Sequence, residues 1–426
     1  MLKLQGWKGY AWIVILLSAF LLFYKYVIQV YPGLITNEIM GVFHIDAANT
    51  GNLIAVTFYS IVVVQLFSGI LVDRFGYRIV STFSLVIASL GLVLFVHADN
   101  LLEGMIARSM MGVGVACATV SYVKAVSEWF RPEQFAFVNS FLATAAMLGA
   151  IAGQAPLSYL FGNIGWRDGL LVCACIGLVG AAVFWTFVRD KKPDFDVMGK
   201  NKSTYVSHKL TFKDLLSVIT KKENLLLTFY SGLTFTPVDA FAGLWGNNYL
   251  RQLYNIDHTA AASLVSMIFV GMAIGAPIIG KMSEIRNSRI PLMIGFQIMA
   301  IICITFVFYV PVPYWLLGIL LFLFGFCVSA FMLSFAVGRM INPIWVAASV
   351  AALINTGEPI MGGVFDAVVG WFLDIQWVPG NVTAEGVKHF TTHSYQMAFM
   401  ILPLSMVVAL GLLLMVKEKP IEKEVF

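Results

Sequence analysis

The stretch GILVDRFGYR, Gly69 to Arg78, sits in a short gap between two long apolar runs, and GKMSEIRNSR, Gly280 to Arg289, repeats its outline far downstream. In each, a glycine ends the apolar run, an acid follows four residues later (Asp73, Glu284) and arginines lie just beyond. The two segments occupy corresponding gaps of the two chain halves, which marks the chain as an internal repeat of membrane helices.

Composition points the same way. Of 426 residues, 59% are hydrophobic and only 12% charged, and the mean hydropathy is +0.85, outside the range of a soluble domain of this size. Twelve apolar runs are long enough to cross a bilayer, near residues 10–32, 47–70, 79–97, 101–126, 135–160, 167–188, 224–250, 259–280, 290–310, 315–338, 346–373 and 394–416. Inside lipid each can satisfy its own backbone only as a helix. The predicted fold is therefore an all-α membrane protein of twelve spans, arranged as a six-helix bundle over 1–188, a linker over 189–223, a second six-helix bundle over 224–416 and a tail over 417–426.

The 27 basic residues set the orientation. With the amino terminus cytoplasmic, Arg167, Arg251 and Lys388 fall in outer loops and Lys25, Arg108 and Lys124 within spans, while all the others lie in cytoplasmic loops and tails. The opposite orientation reverses the bias, so both termini are expected inside. The net charge of +4 thus reports topology and carries no signal for nucleic acid.

The five cysteines, Cys117, Cys173, Cys175, Cys303 and Cys327, all lie in apolar runs and imply no disulfide framework. Cys173 and Cys175, two apart on a helix, point in different directions. The histidines fall in loops or at span ends, so neither a metal site nor any cofactor is called for. The first apolar run is too long for a signal core and should remain as span 1. The polar linker reads as a solvated connection carrying a short amphipathic helix around Leu210 to Ile219.

Gly69, Leu71, Asp73, Arg74, Gly76 and Arg78, between spans 2 and 3 of a six-plus-six arrangement, resemble the signature of the major facilitator superfamily, with Val72 standing where that family more often has Ala or Ser. Gly149, Gly153 and Pro156 in span 5, and EWFRPEQ (Glu128 to Gln134) at the end of span 4, resemble the same family. The resemblance implies a transporter that works by alternating access. It also implies that Gly69, Asp73, Arg74, Gly76, Arg78 and, in the echo, Glu284 form a cytoplasmic conformational latch rather than a substrate site. The tyrosine-rich first span and the WFRPEQ segment are also similar to nutrient and amino-acid transporters that intracellular bacteria use in phagosomes.

Substrate chemistry is sought in charges that are costly to place in lipid, about 2.5–3.5 kcal/mol each at mid-membrane. These are Lys25 in span 1, Arg108 in span 4, Asp239 in span 7, and Glu358 and Asp366 in span 11. In the family, helices 1, 4, 7 and 10 line the central cavity, so the resemblance puts Lys25 and Arg108 on one wall and Asp239, with Glu358, on the other. Opposed charges suit a zwitterion, with its carboxylate on Lys25 and Arg108 and its ammonium on Asp239 or Glu358. The structural alternative is salt bridges that open and close with the cavity. Tyr24 and Gln29 flank Lys25 and could shape the pocket, as could Tyr26, Tyr31, Tyr59, Tyr122, Phe235 and Trp245. Pro237 and Pro359 each remove a helical hydrogen bond, which should free the carbonyls of Leu233 and Asn355 beside an acid, a setting for an ammonium, a proton or sodium. Glu358 and Asp239 are accordingly expected to carry the coupling proton, with Asn355 adding a polar side chain. Asp366 is expected to act as an outer gate or packing group, and Lys124 and Glu128 as an i,i+4 ion pair.

The expected activity is proton-coupled transport of a small zwitterion, an amino acid or dipeptide, by a monomer in the bacterial inner membrane. The closest rival is an organic-anion or siderophore transporter. A membrane enzyme would need a nucleophile and base or paired metal ligands that the spans do not offer, and a transporter-like sensor would need signalling segments that the short tails do not supply.

Overall fold

The computed structural model describes residues 8–130, 132–190, 212–286, 288–383 and 386–416. The expected tail over 417–426, Arg131 of the WFRPEQ segment and most of the linker lie outside the described residues.

Eleven helices are long and apolar enough to cross a membrane: Gly9–Leu34, Ala47–Phe75, Tyr77–Val96, Leu101–Trp129, Phe137–Ile164, Trp166–Phe187, Lys222–Tyr254, His258–Arg286, Ile290–Tyr309, Tyr314–Ile341 and Thr392–Leu414. A further helix, Ala347–Ile375, is as long as the second, but Asn355, Glu358, Asp366 and Asp374 dilute its hydropathy. Numbered in chain order these are spans 1 to 12, and each coincides with one of the apolar runs. The only β feature among the described residues is a single bridge between Val382 and Lys388, in the loop from span 11 to span 12. Large apolar side chains such as Leu66, Phe67, Val179 and Trp315 remain exposed on the spans, as a lipid-facing surface requires. The chain is an all-α, multi-pass integral membrane protein.

Two compact units emerge from the packing. The first comprises Met1–Tyr31 and Val56–Ser207, the second Pro32–Ala55 and His208–Phe426. In the first unit, backbones approach closely through small residues. A Cβ on Gly149 of span 5 would strike the carbonyl of Phe23 in span 1, and one on Gly153 would meet Val27 and Val30. Span 4 does the same twice, with Gly112 against Thr57 of span 2 and Gly114 against Ala88 of span 3. Without a hydrophobic drive between helices in lipid, such close dispersion contacts supply much of the association energy.

The second unit uses the same device, with Gly232 of span 7 against Gly357 of span 11 and Gly271 of span 8 against Phe322 of span 10. Its departure from regularity lies in span 7. The α-helix runs to Pro237, a π-helix covers Val238–Trp245, and α-helix resumes over Gly246–Tyr254. Pro237 cannot donate to the carbonyl of Leu233. That carbonyl is not loose, contrary to the sequence expectation. Thr236 Oγ1 donates to it at 2.9 Å and Ser405 Oγ of span 12 at 3.2 Å. Hydroxyls recapture what the proline releases, so Leu233 offers no ready cation ligand.

Candidate functional site

In the first unit, span 4 begins with Asn100 accepting the Glu103 amide at 3.0 Å, a local cap that fixes where the helix starts. Two turns further in, Arg108 is almost wholly enclosed, 1% exposed. Its guanidinium donates to the Tyr31 hydroxyl at 3.3 Å and lies 5.6 Å from the centre of that ring. The Thr57 hydroxyl donates to the Arg108 carbonyl at 3.0 Å, tying span 2 to the same turn. Tyr31, Thr57 and the glycines on either face of span 4 thus fix the base of the arginine. Such a fork can hold a carboxylate through two parallel hydrogen bonds.

Lys25, 8% exposed, lies 5.4 Å from the ring of Tyr26. Gln29, 7% exposed, follows one turn later on the same side of span 1, and no hydrogen bond reaches its buried side-chain oxygen. Tyr24 is placed differently. Its hydroxyl bonds Ser89 Oγ of span 3 at 3.0 Å and donates to the Cys173 carbonyl of span 6 at 3.1 Å, and Gly177 lies against its ring. Tyr24 therefore packs the bundle interior.

The second unit gathers the acids. A Cβ on Gly362 would overlap Asp239 Oδ2, so the carboxylate at the start of the π-helix rests directly on span 11. Gly362 is four residues after Glu358 and four before Asp366, which puts Asp239 one turn from each along that helix. Glu358 and Asn355 are half-buried. Asp366 is enclosed, and its carbonyl accepts the Trp245 indole N–H at 3.3 Å.

The repeated segments behave differently from each other. Gly76 has φ +81°, and a Cβ there would collide with the Asp190 carboxylate, so only glycine fits. That carboxylate accepts the Arg78 amide at 2.7 Å, and burial raises its pKa against the pull of the Arg78 bond and charge. The Arg78 guanidinium donates twice to the Trp185 carbonyl, at 2.6 and 3.1 Å, and stacks over its ring at 4.2 Å. Asp73 pairs with Lys124 of span 4 at 2.9 Å, and Lys124 also reaches Glu128 at 3.8 Å. Arg74 sits beside Phe75, 5.5 Å from its ring, and Gly69 has open space where a Cβ would go. In the echo, Gly280 is likewise open and Glu284 exposed.

Sequence reasoning missed Gly362 as a seat for Asp239, Thr57 as a tether for span 4, and Asp190 as the partner of Gly76 and Arg78. None has a local signal, since each acts on a residue far away in the chain.

A helical membrane protein that encloses charged side chains within two compact units is built to move solutes. Residues 11–365 match the family model of the Major Facilitator Superfamily, so the chain belongs to that family and is a secondary transporter. An uncharacterized transporter of Bacillus subtilis, YybO, is 22% identical over 362 residues, covering 78% of this chain and 80% of that protein. A probable L-galactonate transporter of Escherichia coli is 22% identical over 250 residues, 56% of this chain and 54% of the other. Among solved structures, a bacterial homolog of the human lysosomal transporter Spinster, inward-facing and occupied, superposes with a TM-score of 0.75 at 14% identity, over 96% of this chain and 97% of that one. At that identity the likeness concerns the fold.

Proposed function

We propose that this transporter carries a small organic anion, with the solute carboxylate held by Arg108 and assisted by Lys25, and with Asp239 and Glu358 handling the coupling proton. The observation that carries this reading is the arginine in span 4. A guanidinium enclosed to 1% exposure, its aromatic neighbour Tyr31 in place, is costly in lipid and is worth keeping for the charge it offers. The L-galactonate assignment of the Escherichia coli relative supports a sugar-acid type of substrate. The seat of Asp239 on Gly362, within one turn of Glu358, supports a proton role for the acids.

A zwitterion remains the second reading, favoured by the presence of Asp239 and Glu358 themselves, either of which could take an ammonium group. We also infer that both termini are cytoplasmic, on the strength of the basic-residue bias, and that the membrane is a bacterial inner membrane, in keeping with the bacterial relatives. Gly69, Asp73, Arg74, Gly76, Arg78 and Glu284 keep the latch role that the family resemblance gives them, with Lys124 as the partner of Asp73.

Uptake into proteoliposomes under an inward proton gradient tests the reading, with labelled galactonate, glucuronate, alanine and glutamine as solutes. Uptake of the sugar acids, lost in Arg108→Ala, is the expected result. Uptake of the amino acids alone moves the assignment to the zwitterion. Uptake of any of the four that survives Arg108→Ala in full overturns the role given to Arg108.

A further inference from the structure

A serine within a helix ordinarily donates to a carbonyl of the preceding turn, as Ser266 does to Ala262 at 2.8 Å and Ser329 to Phe326 at 2.7 Å. Two serines of the second unit do not. Ser231 in span 7 and Ser334 in span 10 are 1% and 0% exposed, and among the described residues no hydrogen bond reaches either hydroxyl oxygen. An enclosed hydroxyl without a partner is costly, so a pair of them on neighbouring helices calls for a ligand.

Helical register brings the two serines to one level. A Cβ on Gly338 of span 10 would meet Ile354 and Val350 of span 11 and come within 3.8 Å of Leu227 of span 7, so the three helices converge there. One turn from that point toward Asp239, the same stripes carry Ser334, Glu358 and Ser231, which lie four residues from Gly338, Ile354 and Leu227 respectively. The next contact along spans 7 and 10 is between the rings of Phe235 and Phe331, whose centres are 5.1 Å apart. Ser231 is four residues from Phe235 and Ser334 three from Phe331, so both serines lie between the two contacts. Pro359, directly after Glu358, has no N–H for the Asn355 carbonyl, which adds to this turn an oxygen deprived of its helical donor.

Hydroxyl, carboxylate and carbonyl oxygens are the ligands that hard cations take. A single carboxylate at this level balances a single positive charge, and a balanced pair is far cheaper to enclose than a lone ion. The two phenyl rings close the level on the side of Asp239 and keep it small. We propose that Ser231, Ser334 and Glu358, with the Asn355 carbonyl, bind a sodium ion where spans 7, 10 and 11 converge. The inference rests on the reading of Glu358 as a coupling residue and gives its carboxylate a second occupant, sodium in place of the proton. Asp239, a turn further along at Gly362, is not a ligand of this site.

The test is melting of the purified full-length protein at pH 8 in sodium, potassium or choline chloride of equal ionic strength, with no solute and no gradient. Sodium should raise the melting temperature by about 2–4 °C over choline, and potassium should not. The sodium shift should vanish in Ser231→Ala and in Ser334→Ala, persist in Ser231→Thr, which keeps the hydroxyl, and persist in Ser266→Ala, whose hydroxyl is bonded within its own helix. Radiolabelled sodium retained by the unsubstituted protein and displaced by unlabelled sodium, but not by potassium, supports the site even if an alanine variant does not fold. Equal melting temperatures in the three salts overturn the sodium site and leave the proton reading to the uptake assays. A sodium shift that survives both alanine variants overturns the placement at Ser231 and Ser334.

Discussion

Span 4 and span 7 each hold a charge within the membrane, and they hold it by opposite means. Arg108 sits on regular α-helix and is fixed by side chains, Tyr31 on its guanidinium and Thr57 on its carbonyl. Asp239 sits where the helix itself changes, at the start of a π-turn, and is fixed by a missing side chain, the hydrogen of Gly362. The first arrangement keeps a long, permanently charged group pointing one way. The second seats a short carboxylate against a neighbouring helix where the backbone widens into a π-turn, which suits the proton role proposed for it.

The largest effect that would break this contrast is at the arginine. Arg108→Ala should lower uptake by about tenfold to a hundredfold, the scale of a charge-assisted hydrogen bond to substrate, and Arg108→Lys should recover only part of it because the planar fork is lost. Initial-rate uptake in proteoliposomes measures both. If the lysine variant transports as well as the parent, the fork has no role. Next comes Asp239→Asn, which should abolish accumulation driven by a proton gradient while leaving solute exchange running across the same membrane. Loss of both activities together would make Asp239 a substrate ligand and favour the zwitterion.

Gly362→Ala sharpens the comparison without touching a charge. The added methyl needs the space of the carboxylate, and overpacking of this sort costs about 1–3 kcal/mol. Gradient-driven uptake should fall several-fold, whereas alanine at Gly318, where the surroundings are open enough for ordinary contact, should leave it unchanged. Smallest of the set is Ser405→Ala. It leaves Thr236 alone on the Leu233 carbonyl, and interhelical hydrogen bonds in membranes average about 0.6 kcal/mol, so the melting temperature should drop by a degree or two. A drop of ten degrees would mean that the proline break depends on Ser405 far more than two hydroxyls sharing one carbonyl imply.

The spans were legible in the sequence because hydropathy needs no knowledge of neighbours. The run over 224–250 became Lys222–Tyr254, and the run over 47–70 became Ala47–Phe75. The charges within the spans were legible for the same reason, as exceptions to an apolar rule. What surrounds them was not. The i,i+4 rule found Glu128 for Lys124 at 3.8 Å but could not find Asp73, 51 residues away and closer at 2.9 Å. Proline chemistry located the interruption at Leu233 and missed its repair, of which one part, Thr236, lies three residues on and the other, Ser405, lies 172 residues on. Tyr24 and Tyr31 looked alike beside Lys25. Only the fold sends one hydroxyl to Ser89 and Cys173 and the other to Arg108.

The π-turn over Val238–Trp245 has one more consequence. A π-turn is in effect an α-helix with one residue too many, so deleting a single residue between Ala240 and Gly243 would let span 7 run as continuous α-helix. Residues beyond the deletion would then change their angle relative to Asp239. The Trp245 indole would leave the Asp366 carbonyl, and Asn248 would turn away from Asn37. The extra residue is thus a register shim, setting the angle between an acid and the residues that follow it.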